Sequence, residues 1–168
     1  MKIYLANGLF SESDRNYNDY LVDKIEELGY EIYAPQRNLA INDKKKSAPS
    51  IPIYDGDTDR LKECDILIAI LDGQDLGVAS EIGWVAGYNE GVLLESQRKI
   101  ILGLYTDNRD LSKTYSESKV KDGINEGIGE SQFPYVNLYT VGAIKKFGKL
   151  FGSSEELLDV LKKLSEDD

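Results

Sequence analysis

Apolar and polar positions alternate along the chain in blocks that switch between strand and helix periods. "KIYLA" (2–6) is a short β-prone apolar run. Behind it, "SESDRNYNDYLVDKIEELG" places Leu21, Ile25 and Leu28 at helical spacing with Tyr17 one turn earlier. Ser11 or Ser13 can cap that helix and Gly29 can end it. "YEIYAP" (30–35) predicts a second strand stopped by Pro35, so the chain opens β-α-β, the pattern of a parallel sheet with a right-handed crossover. Residues 36–52 carry two prolines and a lysine run and are expected to be a long loop. "IYDGDTDRLKEC" predicts a short helix. "DILIAIL" (65–71) is apolar at almost every position, as in a strand covered by helices on both faces.

The next helix is expected to begin near Ala79, turn Ile82, Val85 and Ala86 inward, and end by Gly91. "KIILGLY" (99–105) predicts another buried strand. Residues 106–133 are polar and without clear period, so a long excursion is expected there. Order resumes with "FPYVNLYTVGAIKKFGKLFG", and "SSEELLDVLKKLSE" predicts a capped helix with Leu157, Leu161 and Leu164 in register. No repeat is visible, and the expectation is one domain over 1–168. Its fold class is α/β: an open flavodoxin/Rossmann-like parallel sheet of four to five strands with helices on both faces. Ligands bind such sheets beyond the carboxyl ends of the strands, at the switch in strand order. Residues 6–12, 35–42, 72–81 and 106–112 fall there.

Composition narrows the chemistry. Thirty acids against 20 bases give a formal net charge of −10, which disfavours nucleic acid and anionic membrane surfaces as partners. There is no histidine, so Ser-His, Cys-His and His-metal chemistries are excluded. Proton transfer near neutral pH falls to carboxylates, Tyr, Lys or the single cysteine, Cys64, which cannot form a disulfide within the chain. The opening "MKIYLANGLF" lacks the long apolar segment of a signal peptide, and the longest apolar run, Ile66 to Leu71, is too short to span a membrane. A cytoplasmic location is the expectation. The loop after the first strand, "ANGLFSESD", has one glycine, so neither G-x-G-x-x-G nor a Walker motif is present and no nucleotide cofactor is expected.

What remains at the strand mouths is carboxylates and rings: Tyr4, Asp57, Asp72, Asp75 and Glu81. Two readings of these residues stay open. Glu81 could simply complement the dipole of its helix while the aspartates cap turns. Alternatively, Glu81, followed by "IGWVAG", could sit desolvated as a nucleophile for a sugar carbon, with a second carboxylate holding the leaving group's proton. Trp84 reads as core or subunit interface, Cys64 as an inert small apolar residue, and Tyr17, Tyr20 and Tyr33 as packing groups. Phe10, in the first loop, is a candidate lining of a base pocket.

Taken together, "KIYLANGLF", "DGDTDRLKECDILIAILDGQDLGVASEIGWVAGY" and "FPYVNLY" resemble the nucleoside 2-deoxyribosyltransferase family over nearly the whole chain. The resemblance implies an enzyme that exchanges the base of a 2′-deoxynucleoside with retained configuration and needs no cofactor or metal. It implies Glu81 as the nucleophile at C1′, Tyr4 orienting its carboxylate, and Asp75 and Asp57 handling the nucleobase and its proton. It also implies Asn137 contacting sugar in a neighbouring subunit, hence a homo-oligomer. Gln36 is implied at the base, and Gly8 stands where shorter members carry a glycine-rich turn. The insertion at 106–133 departs from those members, and Asp72 has no firm counterpart. Two alternatives accompany this reading. One is a hydrolase of deoxynucleoside 5′-monophosphates that holds phosphate through Ser11, Ser13 and Arg15. Glu12 and Asp14 among those donors favour the unphosphorylated nucleoside instead. The other is a non-catalytic nucleoside-binding α/β module.

Overall fold

The computed structural model describes residues 1–38, 49–107 and 136–166. The expected loop at 36–52 lies partly, and the excursion at 106–133 almost wholly, outside these residues. Five strands, β1 (Lys2–Ala6), β2 (Glu31–Tyr33), β3 (Ile66–Ile70), β4 (Ile100–Leu104) and β5 (Gly148–Phe151), form one sheet in the order β2-β1-β3-β4-β5. All neighbours pair in parallel. The order reverses between β1 and β3, which sets the switch point.

Among the described residues, five α-helices cover the sheet: α1 (Glu12–Glu27), α2 (Ser50–Glu63), α3 (Leu76–Gly91), α4 (Leu138–Phe147) and α5 (Ser154–Glu166). The pleat sends alternate side chains to opposite faces. Ile3 and Leu5 of β1 join Leu21, Val22 and Ile25 of α1 and Leu157 and Leu161 of α5 on one face. Tyr4 and Ala6 join Leu61 of α2, Val78, Ile82 and Val85 of α3 and Ile144 of α4 on the other. β3 is buried at all five positions because both layers rest on it. None of the described helices is long and apolar enough to cross a membrane.

Local chemistry sets the helix bounds. Ser11 caps α1 by accepting from the Asp14 N–H at 3.0 Å, and Gly29 ends it at a φ of +89°, where a side chain would be strained. Helix α2 begins at Ser50, earlier than its sequence pattern predicts. Pro52 lies in the first turn, where the missing N–H has no intrahelical partner, so the ring is tolerated. Helix α3 likewise begins at Leu76 rather than near Ala79, because Asp75 caps it through the Gly77 and Val78 N–H groups at 2.7 and 3.1 Å. The opposite end of the sheet is tied by Lys99, buried with its ammonium donating to the Lys62 and Cys64 carbonyls at 2.7 and 2.5 Å. Those carbonyls close α2, where the helix dipole favours a cation.

Gly148 begins β5 opposite Ile101 in an extended conformation. A Cβ there would stand 2.0 Å from the Ile101 carbonyl oxygen, a backbone atom that cannot move without unpairing β4 and β5. Gly148→Ala is therefore expected to cost about 2 kcal/mol or more, read as a lower urea midpoint. An unchanged midpoint would refute that tight approach.

Candidate active site

Three elements meet at the β1/β3 switch. β1 contributes Tyr4, fully buried, whose hydroxyl donates to Glu81 Oε1 at 2.5 Å. Helix α3 contributes Glu81, and α2 contributes Asp57 from across the crevice. Asp57 and Glu81 line one pocket of about 190 Å³ with Tyr54, Thr58, Leu61 and Trp84. Much of this lining is apolar, and both carboxylates are partly buried in it.

Burial acts first on the titration of each group. It pushes the Glu81 carboxyl from 4.5 up to about 7; the Tyr4 bond opposes the rise, and the Asp57 and Asp75 charges add to it. Asp57 is also raised by burial, against the lowering effect of a bond from Tyr33. The Tyr4 hydroxyl is pushed far above its ordinary value by burial and by Glu81, so it remains a donor. Glu81 is thus poised to titrate near neutrality while one of its oxygens is held. A carboxylate so placed can act as a nucleophile or as a general base.

The other expected residues lie around this pair. Asp75 caps α3 with Oδ1 and faces a separate cavity of about 470 Å³ that it shares with Gln74, Asn137 and Thr140. Asn137 belongs to the same chain as Asp75 there, and its Oδ1 caps α4 through the Tyr139 N–H at 2.9 Å. Gln36 stands apart, in a surface recess with Arg15, Asp19 and Arg37. Its amide accepts from Asn18 at 2.8 Å and donates to Asp19 and to the Arg15 carbonyl. The Gly8 carbonyl accepts from the same Asn18, and Phe10 is 72% exposed at the loop tip. Asp72 shapes the turn, as its lack of a counterpart implies, by accepting from the Thr106 N–H and hydroxyl at 2.8 and 3.1 Å. Cys64 is buried, with its thiol pushed up to about 11 by burial, and is inert. Trp84 is partly buried, stacks on Tyr88 at 5.8 Å, and reaches the Glu81 pocket.

Several contributors escape sequence reasoning. Asn18 sits on the buried stripe of α1, where a polar residue among Leu21, Val22 and Ile25 is the one available signal. Gln74 adopts a φ of +48°, uncommon for a residue with a side chain, in the turn that delivers Asp75. Tyr33 reads as packing, yet its hydroxyl bonds Asp57 at 3.0 Å.

Fold and pocket define an α/β protein with a buried carboxylate site at the switch in strand order. Residues 3–138 match the family model described as nucleoside 2-deoxyribosyltransferase. The chain belongs to that family, whose members are enzymes acting on nucleosides. Among solved structures, a conserved protein from Enterococcus faecalis V583 is 41% identical, with 98% of each chain covered and a TM-score of 0.78. A 2-deoxyribosyltransferase from Bacillus psychrosaccharolyticus shares the fold at 15% identity, with 94% of this chain and 90% of that chain covered and a TM-score of 0.59. A CMP N-glycosidase from Clostridium botulinum does so at 17% identity, with 98% and 99% covered and a TM-score of 0.55. No curated protein sequence matches.

A raised carboxylate has a stability consequence with a definite sign. Folded Glu81 binds its proton more tightly than in the unfolded chain, so its contribution to stability falls as pH rises from about 4.5 to about 7. Glu81→Gln removes this loss. Relative to the wild type, the variant should gain on the order of 2–3 kcal/mol between pH 4 and pH 8 in urea titrations. A pH-independent difference would show that Glu81 is not perturbed.

Proposed function

We propose that the chain is a nucleoside 2-deoxyribosyltransferase in which Glu81 attacks C1′ of a 2′-deoxynucleoside. The observation that carries this reading is the buried Tyr4–Glu81 hydrogen bond beside a second raised carboxylate, Asp57. Tyr4 holds Oε1 and leaves Oε2 for the sugar. As the C1′–N bond breaks, its electron pair stays with the base, which takes a proton from Asp57, and Glu81 forms an ester to C1′. A second base then displaces Glu81 and returns the proton, so configuration is retained. Ionised Glu81 also stabilises the cation-like transition state in a largely apolar pocket. No step needs a metal or cofactor.

Asp75 and Asn137 line a second cavity of the same chain, and Asp75, whose charge acts on Glu81, supplies a polar group for the base. A second copy of the chain completes the Glu81 site by bringing its own Asn137 to the sugar. Leu76, Leu138 and Tyr139 support that assembly, each more than four-fifths exposed beside those two residues. Gly8 and Phe10 serve the base from the first loop, and Gln36, bonded to Asn18, Asp19 and Arg15, is left out of that role.

The hydrolytic alternative needs a phosphate site, and the loop is poorly disposed for one. Ser11 donates to Asp14 Oδ2 at 2.5 Å, and Arg15 donates to the Phe10 carbonyl at 2.6 Å. The Ser11 hydroxyl and one Arg15 N–H are engaged, and the Glu12 and Asp14 carboxylates sit in the first turn of α1, where they oppose an anion. An unphosphorylated nucleoside is the better substrate.

Incubation with thymidine or deoxyadenosine as donor, with and without a different free base, tests the proposal by chromatography. A new deoxynucleoside formed only when the second base is present is the expected result. Base release alone would identify a hydrolase, and no reaction would leave a binding module. Glu81→Ala should lower transfer by at least about a thousandfold with the fold intact. Substantial residual transfer would sink Glu81 as nucleophile. In the wild type, kcat/KM should rise with pH through an acid limb near 7, as Glu81 ionises.

A further inference from the structure

The proposed reaction requires Asp57 to present a proton on a particular oxygen. Tyr33 ends β2 as the register partner of Tyr4, with ring centroids 5.3 Å apart. Its hydroxyl donates to Asp57 Oδ1 at 3.0 Å and accepts from Asn38 Nδ2 at 3.1 Å. A phenol has a single hydrogen, and with the Asn38 amide donating into its lone pair that hydrogen is committed to Asp57. The Arg60 guanidinium lies 5.5 Å from the Tyr33 ring centroid, on the same helix as Asp57, and braces the ring. Within Asp57, an oxygen that already accepts the Tyr33 bond is the poorer seat for a proton, because protonation weakens it as an acceptor.

We propose that Tyr33 is a positioning residue that seats the Asp57 proton on Oδ2, from which the departing nucleobase collects it. The inference rests on the deoxyribosyl-transfer reading. The C1′–N electron pair leaves with the base, the Oδ2 proton passes to the base, Glu81 bonds to C1′, and Asp57 is left ionised. When the acceptor base displaces Glu81, its ring N–H returns the proton to the same oxygen. Tyr33 touches neither sugar nor base and keeps its own proton throughout, since burial pushes its hydroxyl up to about 12 against the counter-pull of the Asn38 bond.

Tyr33→Phe deletes the hydroxyl and keeps the ring against Tyr4 and Arg60. The test compares this variant with the wild type on two donors: the better of thymidine and deoxyadenosine, and 4-nitrophenyl 2-deoxyriboside, whose leaving group departs without a proton. On the nucleoside, kcat is expected to fall roughly tenfold to a hundredfold with KM within about twofold. On the nitrophenyl glycoside the variant should stay within about twofold of the wild type. Equal loss on both donors would mean that Tyr33 only packs, and no loss on the nucleoside would mean that Asp57 does not depend on it. Either result overturns the proposal alone. A wild type inactive on both donors overturns the transfer reading, and this proposal with it.

Discussion

A phenol buried in the middle of a parallel sheet must find a partner for its hydroxyl, and in this chain the partner is a carboxylate on another element. Tyr4 has no exposed surface, and its hydrogen bond to Glu81 joins β1 to α3 across the switch in strand order. An unmatched buried hydroxyl would cost about 1–3 kcal/mol, so the bond adds a directional tie to the apolar contacts that Val78, Ile82 and Val85 of α3 make with the sheet. The same bond holds Glu81 where burial raises its pKa. Packing and chemistry at this point are one constraint.

The site is held at a cost to stability. Asp57 and Glu81 share a mostly apolar pocket, and Asp75 adds a further negative charge nearby. Such crowding is the common signature of a functional carboxylate cluster rather than of a structural one. The fold offsets it with bonds that tolerate charge: the two amide bonds capping α3 at Asp75, and the Tyr33 bond to Asp57. At the far end of the sheet, buried Lys99 sits on the carbonyls that close α2, well satisfied and away from the chemistry.

Much of this was legible in the sequence. An unbroken apolar run at 66–70 reads as a strand covered on both faces, and the β-α-β opening led to the parallel sheet. Glu81, Tyr4 and Asp57 could be named as candidates because carboxylates and a tyrosine fall at predicted strand ends in a chain without histidine, while their roles came only from the family resemblance. Helix starts were less legible. Ser50 and Leu76 begin helices because a proline is harmless in a first turn and because an aspartate caps, effects weaker than hydrophobic period. Tyr33, Asn38 and Asn18 were not legible as site residues, since their roles depend on hydrogen bonds between elements distant in sequence. Gln36, read as a base contact, lies in a recess away from Glu81 with its amide bonded to Asn18, Asp19 and Arg15.

The central claim is that Glu81 forms a covalent bond to the sugar. Acid quenching of the protein during turnover with a deoxynucleoside donor and no acceptor base, followed by peptide mass mapping, addresses it directly. A deoxyribosyl ester on Glu81 that vanishes when an acceptor base is added before the quench is the predicted result. An adduct on another residue, or sustained turnover with Glu81 unmodified, would contradict the account.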